Sequence, residues 1–245
     1  MNNYQRNEKI QECLEKGSWY GAEDPTFISG DLTYNPDDAA METLAQLKPD
    51  WFVYHRPFLT SPDEKILYGF AVSSDEWLEV PDGIEIYDNL FIHEEEHGVK
   101  TVQIPASLEQ ICQLQNPFGF YVEDYKVNEE NEKFSAYDGI LFDKAGEKLV
   151  IFPSGRRMGK KDYFQMCGIT EEEPDCLIGE YAFFMRGFIK ALVLPPWIEV
   201  KKNSFYIQNG CGKIIADKNF RSYFEQLVKN GQIRGVEFCY YDQGD

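Results

Sequence analysis

Positive charge is what this sequence has least of: 24 lysines and arginines stand against 42 aspartates and glutamates, a net charge of −18 over 245 residues. Nucleic-acid phosphates need clustered cations to release their counterions, so a nucleic-acid partner is not expected. An anionic membrane surface is disfavoured on the same ground. Long apolar runs are missing too. No stretch reaches membrane-spanning length, and Met1-Asn-Asn-Tyr-Gln-Arg-Asn-Glu-Lys-Ile10 lacks the apolar core of a signal peptide. A cytoplasmic chain is the expectation. The six cysteines, Cys13, Cys112, Cys167, Cys176, Cys211 and Cys239, show neither paired spacing nor a CxxC. They are expected as buried thiols rather than as disulfides or a zinc site.

Apolar and aromatic material is plentiful, at 43% and 15%, which excludes a disordered chain. It is also periodic. Phe183, Phe205 and Leu227 stand 22 residues apart, and so do Leu192, Ile214 and Val236. Positions recurring in step mark stacked units that bury their apolar faces only against one another. Ile189-x-x-Leu192-x-Leu194-Pro195 and Val99-x-x-Val102-x-Ile104-Pro105 share a frame, which Ile233-x-x-Val236-x-Phe238 repeats without its proline. Apolar residues two apart lie on one face of a strand, and the proline ends it. Ile84-x-Ile86 and Ile198-x-Val200 then turn inward again, with Phe91 and Phe205 five residues further on. Looser members carry the series through Leu78, Val102, Tyr125, Val150 and Cys167. The alternative is an ordinary α+β domain with chance spacing.

Pro174-Asp-Cys-Leu-Ile-Gly-Glu-Tyr-Ala-Phe183, Ile189-Lys-Ala-Leu-Val-Leu-Pro195 and Val200-Lys-Lys-Asn-Ser-Phe205 resemble the leucine-rich repeats of the BspA type. So do Val80-Pro-Asp-Gly-Ile84 and Val102-Gln-Ile-Pro-Ala-Ser-Leu-Glu-Gln-Ile111. Tyr125-Lys-Val-Asn, Phe134-Ser-Ala-Tyr-Asp-Gly-Ile-Leu-Phe142 and Leu149-Val-Ile-Phe-Pro153 look like the insertion unit that interrupts many such arrays. The resemblance covers roughly residues 75–206. It implies a curved solenoid with a strand-lined concave face. The family's better-known members are secreted or surface-bound adhesins, a setting that the missing signal peptide does not support here, so adhesion is not carried over. The fold expected is an α+β repeat protein: an irregular leucine-rich-repeat solenoid over residues 51–245 behind an N-terminal helical cap at 1–50. An insertion-type unit is placed near 125–165 and a terminal helix-strand turn at 217–240.

The cap segment carries helical patterns at 4–16 and 37–47, the second after Asn35-Pro36 as cap and first position. Trp51-Phe-Val-Tyr54 reads as a strand, and the stack is expected to begin near 51. In the terminal turn, Phe220, Phe224, Leu227 and Val228 share one helical face, ahead of a strand at 235–240.

His93-Glu94-Glu95-Glu96-His97 satisfies the H-E-x-x-H pattern of zinc peptidases, which needs two imidazoles one helical turn apart and a glutamate that deprotonates metal-bound water. Gly98 and the Val99 strand follow at once and leave no room for the helix. A solvated acidic corner is favoured over a zinc-dependent hydrolase, and neither a catalytic residue nor a cofactor is expected. Gly210-Cys-Gly-Lys213 reads as a turn rather than a phosphate loop, Asp138-Gly139 as a hairpin turn with Asp143 to Gly146 as the next, and Arg156-Arg157 with Lys160-Lys161 as an exposed basic loop.

With Val102 and Ile104 inward, Thr101 and Gln103 face out, and by the same rule so do Trp77 and Glu79, Ala191 and Val193, and Gly235 and Glu237. Together they are expected to line the concave sheet, with Trp77 as anchor; the alternative is a merely solvated face, or Trp77 packed on the cap. The function read from the chain is a non-enzymatic scaffold binding a protein partner, with a basic one favoured electrostatically. An acidic immunity-like protein that neutralises a basic toxin is the alternative.

Overall fold

The structure, a computed structural model, describes residues 37–71, 76–89, 98–112, 117–155, 164–165, 177–179, 182–185, 189–194, 196, 198–208 and 211–242. The helix pattern at 4–16, Phe91, the histidine-glutamate segment 93–97, the basic run 156–161, and Cys13, Cys167 and Cys176 lie outside them.

Helix α1 (Asp38–Leu47) starts two residues later than the Asn35-Pro36 cap implies: Asp37 is its N-cap, accepting the Ala40 N–H at 2.8 Å. A carboxylate there satisfies an amide that has no partner within the helix. Met41 and Leu44 are buried against Phe52, Leu59 and Tyr68. Strands β1 (Val53–His55), β2 (Phe58–Thr60) and β3 (Ile66–Phe70) form an antiparallel meander. The stack expected from residue 51 thus begins only at β3, the first strand with a parallel neighbour.

From there the chain winds. Strands β4 (Trp77–Glu79) and β5 (Ile86–Tyr87) make one turn, β6 (Thr101–Ile104) and β7 (Gln110–Ile111) the next, and β8 (Asp124–Val127) opens a third. One sheet stacks β4, β6 and β8 in parallel, with Leu78, Val102 and Tyr125 in register and buried; the other continues β3 through β5 and β7. Side-chain pegs join successive corners. Ser107 Oγ accepts the Gly83 N–H at 2.9 Å and donates to the Ile84 carbonyl at 2.9 Å.

Strands β9 (Phe134–Tyr137), β10 (Ile140–Asp143) and β11 (Lys148–Ile151) form a second antiparallel meander. Its first turn is the expected Asp-Gly hairpin, with Asp138 and Gly139 both left-handed at φ 48° and 72°. The second is closed by the Gly146 N–H on the Asp143 carbonyl and by the Asp143 carboxylate on the Glu147 and Lys148 amides.

Beyond it lie β12 (Phe164–Gln165), β13 (Leu177–Ile178), β14 (Phe183–Met185), β15 (Ile189–Val193), β16 (Glu199–Val200), β17 (Phe205–Gln208) and β18 (Cys211–Asp217). These are three-sided turns, and one winding of 22 residues holds on every side: Leu177 pairs with Glu199, Phe183 with Phe205, Ile189 with Cys211. The rings of Phe152, Phe183 and Phe205 stack with centroids 5.0 Å apart, fully buried. A repeat that places one ring on the next buries each on both faces, which explains the phenylalanine interval. The architecture is a β-solenoid with few helices.

The sequence series breaks in three places. Leu149 of β11 pairs with Ile178 and so joins the β13–β16 sheet, which removes Val150 from the Tyr125 column. Phe164, not Cys167, stands in register with Leu192. In the last winding a 3-10 turn (Lys218–Phe220) and helix α2 (Arg221–Lys229) are inserted before β19 (Ile233–Arg234) and β20 (Glu237–Tyr241). Ile214 therefore pairs with Phe238 rather than Val236, and Ile207 with Ile233. Leu227 belongs to helix α2 instead of the Phe205 column, where the helix supplies Phe224 against Phe205, centroids 5.5 Å apart. Val228, expected on the buried helical face, is 47% exposed. Cys211 to Lys213, expected as a turn, begin β18. Cys211 is buried, and burial pushes its thiol up to about 11, the behaviour of a core residue.

Candidate docking face

The outward positions named from sequence divide between two sheets. Trp77, Thr101 and Asp124 form one rung across β4, β6 and β8, and Glu79, Gln103 and Lys126 the next but one. Val102 between them and Ile104 beyond are fully buried, so alternation turns Thr101 and Gln103 to the opposite face, where both are partly exposed. Trp77 is 46% exposed and Glu79 exposed. Lys126 Nζ lies 4.5 Å from the centroid of the Trp77 ring, a cation held over the negative face of an indole. Lys100 and Glu76 form an ion pair at the end of the rungs.

Ala191, Val193 and Glu237 lie on the other sheet, β12–β15–β18–β20, where Ala191, Lys213 and Glu237 share a rung and Val193, Ile215 and Cys239 the next but one. Lys213 Nζ stands 3.2 Å from the Glu237 carboxylate, whose hydrogen bond holds the ammonium above the usual lysine range. Gly235 lies outside the strands, at φ 69°. The expectation of one continuous lining sheet is thus corrected to two ladders. They are separated because β8 is flanked by the β9–β10 hairpin, with the Tyr125 N–H bonded to the Gly139 carbonyl at 2.9 Å.

Two residues of the Trp77 face were not singled out from sequence, Asp124 and Lys126. The signal was present, since Tyr125 already stood in the Leu78–Val102 column and its neighbours follow by alternation. Lys213 and Ile215 were passed over in the same way beside Ile214.

A polar pair, buried Asp88 and half-buried Cys112, lies apart from either face. Asp88 is 5% exposed, and its carboxyl is raised to about 6 by burial, against an opposing hydrogen bond from the Cys112 thiol. Burial and that carboxylate together push the Cys112 thiol up to about 12, far from a reactive thiolate. Among the described residues no group of three or more His, Cys, Asp or Glu could hold a metal ion. No helix there is long and apolar enough to cross a membrane.

No family profile matches the chain, and no curated protein does. Three solved structures are similar over 68% of its length. The pneumococcal vaccine antigen PcpA shares 13% identity over 68% of its own chain, with a TM-score of 0.29. A leucine-rich repeat protein from Eubacterium ventriosum shares 13% over 42% of its chain, with a TM-score of 0.34. A leucine rich cell surface protein from Faecalibacterium prausnitzii shares 14% over 60% of its chain, with a TM-score of 0.37. The chain spans less than two thirds of the last two. Its own strand ladders establish the solenoid: parallel pairs recurring at 20 to 28 residues on every side of the winding.

Proposed function

We propose that this protein is a non-enzymatic repeat scaffold of the BspA-like leucine-rich kind, which binds a protein partner through the outward face of β4, β6 and β8. The observation that carries the reading is Trp77: a tryptophan 46% exposed on a strand face, with Lys126 over its ring and Glu79, Thr101 and Gln103 around it. An exposed indole set among partly exposed polar groups has the composition of an interface anchor, where removal of the ring costs about 2 kcal/mol or more of binding. The partner's chemistry follows from charge: a net −18 favours and steers a basic surface.

Affinity capture with wild type and with Trp77→Ala, followed by titration of the recovered protein, tests this. The expected result is a basic partner whose affinity falls about thirtyfold in the variant, at unchanged melting temperature. Equal affinity for both proteins would remove the face from consideration. Weakening at high salt is expected as well, because charge attraction is screened.

A further inference from the structure

Lys126 is placed unlike the other lysines of the ladders. Lys65 pairs with Glu85, Lys100 with Glu76 and Lys213 with Glu237, each with a carboxylate of the neighbouring segment. The rung of Lys126 offers Gln103 in that place, with Glu79 one strand further. Among the described residues neither Lys126 nor Glu79 forms an ion pair, although both are exposed on the same face. The Lys126 ammonium lies instead over the Trp77 ring, 4.5 Å from its centroid. Trp77 and Lys126 stand on the two outer strands of the β4–β6–β8 sheet and two positions apart in register, so their Cα atoms are about 12 Å apart at the usual strand spacing and rise. The two side chains therefore meet over β6, in the middle of the face.

We infer that the Trp77 face takes an arginine side chain of the protein partner, and that Lys126 occupies the ring until that arginine displaces it. This rests on the reading of the face as the docking surface and narrows its basic partner to one functional group. The negative face of an indole attracts a cation, and the ring already holds one. A guanidinium is the better occupant, because it is planar, more weakly hydrated than an ammonium, and stacks flat on an aromatic ring. Glu79 supplies the second half of the site. It projects from the same side of β4 as Trp77, about 7 Å along the strand, and its carboxylate is free to accept two parallel hydrogen bonds from the fork of a stacked guanidinium. An ammonium has no such fork. Lys126 opposes the arriving group twice, by covering the ring and by repelling a second cation.

Nitrogen-15 NMR of the full chain tests this, with acetyl-Gly-Arg-Gly-amide and acetyl-Gly-Lys-Gly-amide as probes that carry a single cation each. The Trp77 indole N–H, identified by its loss in Trp77→Phe, reports occupancy of the ring. The arginine probe is expected to bind at least about threefold more tightly than the lysine probe. Lys126→Ala should tighten arginine binding about two- to fivefold, the factor that corresponds to releasing an exposed cation from an indole. Lys126→Arg conserves the charge and installs a better stacking group, so it should weaken binding by a similar factor, where charge alone predicts no change. Glu79→Gln should bring the two probes to nearly equal affinity. Four results overturn the inference: no indole shift up to about 50 mM arginine probe, equal affinity of wild type for both probes, no tightening in Lys126→Ala, or no loss in Lys126→Arg. Any of these leaves the docking face standing so long as Trp77→Ala still weakens the captured partner; an unchanged partner affinity in that variant removes both.

Discussion

Asn131 offers the sharpest test of how the windings are held together. It is fully buried and every polar atom of its side chain is used: Nδ2 donates to the Pro105 carbonyl at 2.7 Å and the Leu108 carbonyl at 2.9 Å, while Oδ1 accepts the Lys133 and Phe134 amides at 2.8 and 2.7 Å. The residue pins the corner after β6 to the start of the β9–β10 hairpin. Asn131→Leu keeps the volume and strands four backbone groups. At about 1 kcal/mol for each orphaned group, the loss is about 4 kcal/mol. That is a large part of the 5–15 kcal/mol or so that separates a folded domain from its unfolded chain. Asn131→Asp should be no milder at neutral pH, since a carboxylate would face two carbonyl oxygens. Its penalty should shrink below about pH 5, where the protonated acid recovers one donor. Urea unfolding followed by tryptophan fluorescence reads both, as a lowered midpoint with an unchanged slope. A loss under about 1 kcal/mol for the leucine variant would refute the reasoning, because it would mean that the four groups find other partners at no cost.

Three further outcomes follow from single side chains. Asp88 holds its proton more tightly folded, with a value near 6, than in the unfolded chain at 3.8. This group therefore favours folding below about pH 4, and that contribution, about 3 kcal/mol, is lost as pH rises to about 6; Asp88→Asn should flatten that part of the stability profile. Gly139 sits at φ +72° with a would-be Cβ against the Asp124 carboxylate and 3.3 Å from the Asp124 Cα, whereas Gly146, at φ +75°, has open space. Gly139→Ala should therefore cost clearly more than the 1–2 kcal/mol or so expected of Gly146→Ala from left-handed strain alone, and equal losses by thermal unfolding would count against the contact. Tyr125 Oη is buried without a hydrogen-bond partner among the described residues, and burial raises its pKa. Tyr125→Phe is expected to leave stability unchanged or raise it by up to about 1 kcal/mol, and a loss beyond about 1 kcal/mol in a melt would expose a hidden partner.

The solenoid was legible because its core is periodic. Wherever one winding lies directly on the next, as with Phe183 on Phe205 or Leu78 on Val102, the interval in the chain is the interval in space. It ceased to be legible where something is inserted. Helix α2 lengthens the last winding, so Val236 kept the 22-residue count while Phe238 took the place beside Ile214. The meander likewise diverted Val150 from its column: the chain reverses direction twice, from β9 to β10 and from β10 to β11, before β11 joins a parallel neighbour. The side on which Trp77, Glu79, Thr101 and Gln103 lie was legible within β4 and β6, because alternation is local, whereas Gly235 falls outside β20. The assembly of the outward residues was not legible, since whether Thr101 and Ala191 share a sheet depends on what happens between them.

Composition, alternation and repeat spacing alone determined the excess of carboxylates, the inward and outward sides of β4 and β6, the Asp-Gly hairpin and the stacking of Phe183 on Phe205. These are consequences of chemistry within a residue or a few neighbours. Only the tertiary structure decided the division of the outward face into two ladders, the cation over Trp77 and the four-bonded Asn131. Each of those depends on which segments distant in the chain meet, and pairing across windings is settled by the whole packed core rather than by any stretch of sequence.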